Sequence, residues 1–110
     1  MTGNDLISAM KDIFSDREKT MAYRYGLVDF SKNEQMDISV AQIVELSKIH
    51  VQASKWNSNI VVGFAIRNTF IYGLVSIWQI FARHTNWKIR LSRSLDENRE
   101  WLEKELNLIF

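Results

Sequence analysis

"IVVGFAIRNTFIYGLVSIWQIFA", residues 60–82, is the longest apolar region of the chain. Its length is close to the roughly 20 residues that span a bilayer. Arg67, Asn68 and Thr69 divide it. The first part is a continuous apolar run of strand length, the pattern of a strand with helices on both faces. The second part is long enough for a helix, with Asn68 or Thr69 placed to cap its first turn. This predicts two buried elements joined by a polar turn, with no membrane span.

The flanking sequence repeats this alternation. Leu6, Ile7, Met10, Ile13 and Phe14 share one helical stripe, which predicts a helix over 4–17 capped by Asn4 or Asp5. "MAYRYGLVDFS", residues 21–31, has the aromatic and branched content of a central strand. Ser39 and Gln42 form a capping box. The helix it opens, over 40–54, turns Val40, Ile43, Val44, Ser47 and Val51 to one side. After Thr69, the periodicity assigns Phe70, Leu74, Ile77, Trp78 and Phe81 to the core, with Ile71 and Val75 alongside. A narrow polar stripe of Tyr72, Ser76, Gln79 and Arg83 remains.

"WKIRLS", residues 87–92, alternates as an edge strand does. Ser94 and Glu97 form a second capping box, opening a last helix anchored by Leu95, Trp101, Leu102 and Leu106. The order α-β-α-β-α-β-α predicts an α/β fold: one domain over 1–110 with a small, mainly parallel sheet and right-handed crossovers.

Composition narrows the function classes. The 110 residues carry a formal charge of +1, which gives no global field for nucleic acid. Lys88, Arg90 and Arg93 read as a solvated strand face. The absence of cysteine excludes disulfides and thiolate chemistry and fits a cytoplasmic protein. Met1-Thr2-Gly3-Asn4-Asp5 lacks the basic start of a signal peptide. His50 and His84 have no partner at metal-ligand spacing, so neither a metal nor a cofactor is expected. Nucleophile-elbow and glycine-rich phosphate-loop patterns are absent, and a non-enzymatic role is expected.

The Gly26-Leu27-Val28-Asp29-Phe30 strand, the Ile38-Ser39 helix start, "VVGFAI" followed by Tyr72-Gly73-Leu74, and "IRLSRSLDENREWL" at 89–102 carry a resemblance over nearly the whole chain. Together they resemble the SpoIIAA-like STAS fold, specifically small bacterial STAS/CRAL-TRIO-like proteins. The resemblance implies a module that binds a protein partner or itself. Members usually begin with a β-hairpin before the first helix. Its absence here implies either a truncated domain or an uncovered sheet edge able to pair with another chain. In STAS-type antagonists a serine or threonine before a Gly-Leu pair is phosphorylated. Here Ile71 and Tyr72 precede Gly73-Leu74, leaving Thr69 as the nearest hydroxyl and the candidate phosphoacceptor.

Parallel sheets bind ligands beyond the carboxyl ends of their strands. That edge collects Asp29, Ser31, Lys32, Arg67, Asn68, Thr69, Ser92, Arg93 and Ser94. Asp29 is read as closing its own turn. The candidate partner surface is therefore Asp29, Arg67, Asn68 and Thr69 with the helical stripe Tyr72, Ser76, Gln79 and Arg83, serving a protein partner or a homodimer. The alternative is an apolar small molecule of the kind CRAL-TRIO proteins bind. Against it, a chain this short has little room for a pocket of roughly 300 Å³ or more. The four tryptophans, Trp56, Trp78, Trp87 and Trp101, lie on different elements and form no array.

Overall fold

The computed structural model describes residues 2–109. In chain order they form α1 (Gly3–Ile13), α2 (Arg17–Ala22), β1 (Tyr25–Phe30), α3 (Val40–Trp56), β2 (Val61–Ile66), α4 (Thr69–Ala82), a 3-10 turn (Arg83–Thr85), β3 (Lys88–Ser92) and α5 (Leu95–Ile109). No described helix is long and apolar enough to cross a membrane. The fold is α/β, with a three-stranded, wholly parallel open sheet in the order β1-β2-β3. All six residues of β2 are buried, as a strand covered on both faces requires.

The segment expected to be a central strand is an edge strand, since β1 pairs with β2 alone. It also starts later than its composition suggests. Asp16 accepts hydrogen bonds from the amides of Glu18 and Lys19, which ends the first helix early and caps α2 over Met21 and Ala22. The first helix is capped by Thr2, which exchanges bonds with Asp5, so neither Asn4 nor Asp5 is the N-cap. The Ser39–Gln42 capping box is formed. The Ser94–Glu97 box is half formed: Glu97 N donates to Ser94 Oγ, while Ser94 N donates to Ser92 Oγ instead of the glutamate.

Two helices are rotated from their expected faces. In α3 the buried residues are Ile43, Leu46, Ser47, His50, Ala53 and Ser54, while Val40 is exposed. Ser47 and Ser54 enter the interior because each hydroxyl donates to a carbonyl three residues back on the same helix. In α4 the core takes Ile71, Val75, Trp78 and Ala82, and Phe70, Ile77, Ile80 and Phe81 face outward. Both faces of α4 are apolar, so periodicity does not distinguish the buried one.

The helices divide between the sheet's faces. Alternation along β2 turns Val62 and Phe64 toward α3 and α4, and Gly63 toward α5. On the α5 side the contact is close. Asn98 is fully buried, and its Nδ2 donates to Phe64 O at 2.7 Å. A Cβ at Gly63 would lie 2.8 Å from Asn98 Oδ1, which has no hydrogen-bond partner. Glycine is required there by close approach, at the cost of one orphaned acceptor.

Gly63→Ala is expected to destabilise the fold by about 1–3 kcal/mol through overpacking. Most of that loss should vanish when Asn98→Ala is already present. A double-mutant cycle by urea denaturation measures the coupling; additive effects would show that the two residues do not meet.

Candidate functional site

Helix α3 packs against α1, α2 and α4, and its backbone stays clear of the strands. The space this leaves is a cavity of about 430 Å³. Its walls include Met10 of α1, Leu46 and His50 of α3, Val75 and Trp78 of α4, and Val28 of β1. This corrects the expectation that so short a chain has little room for a pocket. Ile13 and Tyr25, 43% and 56% exposed, also line the space and mark its open side between α1 and β1.

Rings fill the closed end. His50 lies 5.5 Å from Phe14, 5.1 Å from Trp78 and 5.7 Å from Trp87, centroid to centroid. Trp78 and Trp87 thus both pack on His50, although no two tryptophan rings stack among the described residues. Most polar atoms here are already engaged. Trp87 Nε1 donates to Asn57 O at 2.8 Å, and Tyr23 Oη donates to Ile13 O at 2.9 Å. Asn57 Nδ2 donates to the carbonyls of Thr20, Met21 and Tyr23, which fixes the chain between α2 and β1 beside the cluster.

Trp78 Nε1 donates to His50 Nδ1 at 2.9 Å. An indole nitrogen is a donor only, so Nδ1 must be unprotonated and the neutral ring carries its hydrogen on Nε2. Burial pushes the His50 pKa down from 6.5 to about 4. The imidazole is therefore neutral near neutral pH. Among the described residues that line it there is no lysine, arginine, aspartate or glutamate.

The polar strand edge is also assembled, in part. Asp29 Oδ1 accepts from both the amide and the hydroxyl of Ser31. These bonds, hydroxyl first, hold its carboxyl below the usual carboxylate value. Asn68 Oδ1 caps α4 by accepting from Ile71 N, and its Nδ2 donates to Glu34 O. Thr69 follows, exposed, as the first residue of α4. Arg93 donates to Arg67 O and lies over the Tyr72 ring at 5.0 Å.

The rest of the expected stripe is separate from this edge. Ser76 Oγ donates to Tyr72 O within its own helix, and Gln79 is half-buried. Arg83 stands eleven residues beyond Tyr72, about 16 Å along the helix axis. A shallow polar depression at the edge is bounded by Ser31, Lys32, Asn33, Glu34, Arg67 and Asn68. Its capping groups are satisfied by their own turns. Among the described residues, no group of three imidazoles or carboxylates is placed to hold a metal ion.

The cavity and its histidine were not singled out from the sequence. The available signal was the spacing Ile43, Leu46, His50, Ala53, which puts His50 on the inner face of α3. Comparison with protein-family models, with curated proteins and with solved structures finds no match in any of the three.

Between its ordinary pKa of 6.5 and about 4, His50 takes up a proton in the unfolded chain and refuses it in the folded one. The stability contributed by neutral His50 is complete above that window and is lost as pH falls through it, by about 3 kcal/mol. Asp5 and Asp29, also held low, act below their ordinary 3.8, outside the window. Urea denaturation across the window is expected to show a steep loss of stability in the wild type and a shallower one in His50→Asn. Parallel profiles would mean that His50 titrates as a free histidine.

Proposed function

We propose that this protein binds a small apolar molecule in the cavity between α1, α3, α4 and the sheet, as a carrier or sensor without chemistry of its own. The single observation that carries this reading is a cavity of about 430 Å³ whose lining is nearly all apolar. That volume lies within the ordinary range for ligand pockets. Left to water, its apolar walls remain exposed surface, at a cost of about 25 cal/mol per Å². An apolar occupant restores the missing contacts, and the open side between Ile13 and Tyr25 gives it a way in. The reading corresponds to the CRAL-TRIO side of the sequence resemblance.

A second reading, a STAS-like module that self-associates, is favoured by a different observation. Phe70, Ile77, Ile80 and Phe81 leave one side of α4 apolar and exposed, and β1 and β3 each pair with β2 alone. In that reading Thr69 serves as a phosphoacceptor at the start of α4, beside Asn68, Arg67 and Tyr72. Light scattering over a concentration series tests it: a dimer supports it, and a monomer throughout counts against it.

Gly26 provides the decisive variant for the cavity. It lines the cavity, and a Cβ added there would meet only Val62 Cγ1, at 3.9 Å. N-phenyl-1-naphthylamine, a neutral fluorescent probe, is expected to bind the wild type saturably. Gly26→Phe should lower that affinity at least about tenfold while keeping or raising the melting temperature, because it fills the void. Equal binding by both proteins would place the probe elsewhere and remove the support for a ligand cavity.

A further inference from the structure

The cavity is not uniformly apolar, and His50 brings a buried polar ring to it. His50 Nδ1 is occupied by Trp78 Nε1, and the remaining hydrogen sits on Nε2. Among the described residues Nε2 has no acceptor, although the ring is buried to 7% exposure. It is not among the fully enclosed unpartnered side-chain atoms either, where Asn98 Oδ1 stands alone. An unpaired nitrogen that keeps access, on a ring lining the cavity, has its free donor toward the cavity space. The other inward polar groups at the closed end, Tyr23 Oη and the nitrogens of Trp78 and Trp87, already donate within the protein.

Resting on the proposed apolar-ligand function, we infer that the occupant is an uncharged chain or ring system with one hydrogen-bond acceptor, a carbonyl oxygen of ester or ketone type, seated on His50 Nε2–H. The acceptor must be neutral because no lysine or arginine lines the cavity, and an unpaired carboxylate in such surroundings is strongly disfavoured. A low pKa keeps the imidazole uncharged, so it selects for a dipole rather than an ion. An apolar ligand lacking the acceptor leaves a buried donor unpaired. The site thus distinguishes among apolar molecules by a single bond, with the remaining affinity supplied by burial.

Three competitors with equal numbers of non-hydrogen atoms test this: tridecane, methyl decanoate and undecanoate. Each displaces N-phenyl-1-naphthylamine from the wild type, His50→Phe and His50→Asn. Asparagine keeps an acceptor within reach of Trp78 Nε1, so a folded comparison remains if the phenylalanine variant is unstable. Methyl decanoate affinity is expected to fall roughly three- to tenfold in the variants while tridecane affinity is unchanged or raised. Equal losses for ester and alkane, or no loss for either, would overturn the assignment of His50 while leaving the apolar cavity standing. Undecanoate binding the wild type more tightly than the ester would overturn the neutral-acceptor requirement. Failure of both the probe and tridecane to bind the wild type would overturn the cavity reading itself, and this inference with it.

Discussion

The distance between α3 and the sheet is the constraint on which the helical side of this protein depends, and the Trp78–His50 hydrogen bond is central to it. The indole of α4 reaches across to the imidazole of α3 at 2.9 Å, and Phe14 and Trp87 close around the same ring. Aromatic groups of this size in edge-on contact are stiff spacers as well as sources of buried area. They join α3 to α4 and α1 at one end. Toward the start of β1, where Gly26 and Val28 line the cavity, the helix is left standing off the sheet. The cavity follows from that wedge.

The two faces of the sheet solve opposite problems. On the α5 side, Gly63 has no side chain and Asn98 comes into hydrogen-bond contact with the backbone of β2. The space is fully used, and an orphaned amide oxygen is tolerated to achieve it. On the other side, Phe64 and Trp78 meet ring to ring at 5.1 Å, whereas Gly26 on the neighbouring strand presents no side chain to the cavity. A three-stranded sheet covers only part of what two packed helices and a third helix above them can span. The tight face is filled, and the loose face holds the cavity.

Much of this architecture was legible in the sequence, because it rests on local rules. The polar break at Arg67-Asn68-Thr69, the Ser39–Gln42 capping box and the alternation of Trp87, Ile89 and Leu91 each require only neighbours in the chain. The rotation of α4 was not legible, since a helix with Phe70, Ile77 and Ile80 on one side and Ile71, Val75 and Trp78 on the other gives periodicity nothing to choose between. Asp16 as a helix cap is masked by the apolar stripe before it, which reads as one continuous helix. The site was least legible. A cavity is the absence of atoms where four elements converge, and no spacing along one element encodes it. His50 could be placed on an inner face, but the atom it would face depends on Trp78, 28 residues away.

The proposed apolar ligand enters the cavity in preference to the exposed side of α4. Methyl-resolved NMR during titration with N-phenyl-1-naphthylamine separates the two directly. The expected result is saturable shifts confined to methyl groups bordering the cavity, those of Met10, Val28, Leu46 and Val75, with the methyl groups of Ile77 and Ile80 unmoved. Shifts confined to Ile77 and Ile80, with the cavity methyl groups unchanged, would contradict it and leave α4 as an external adhesive surface.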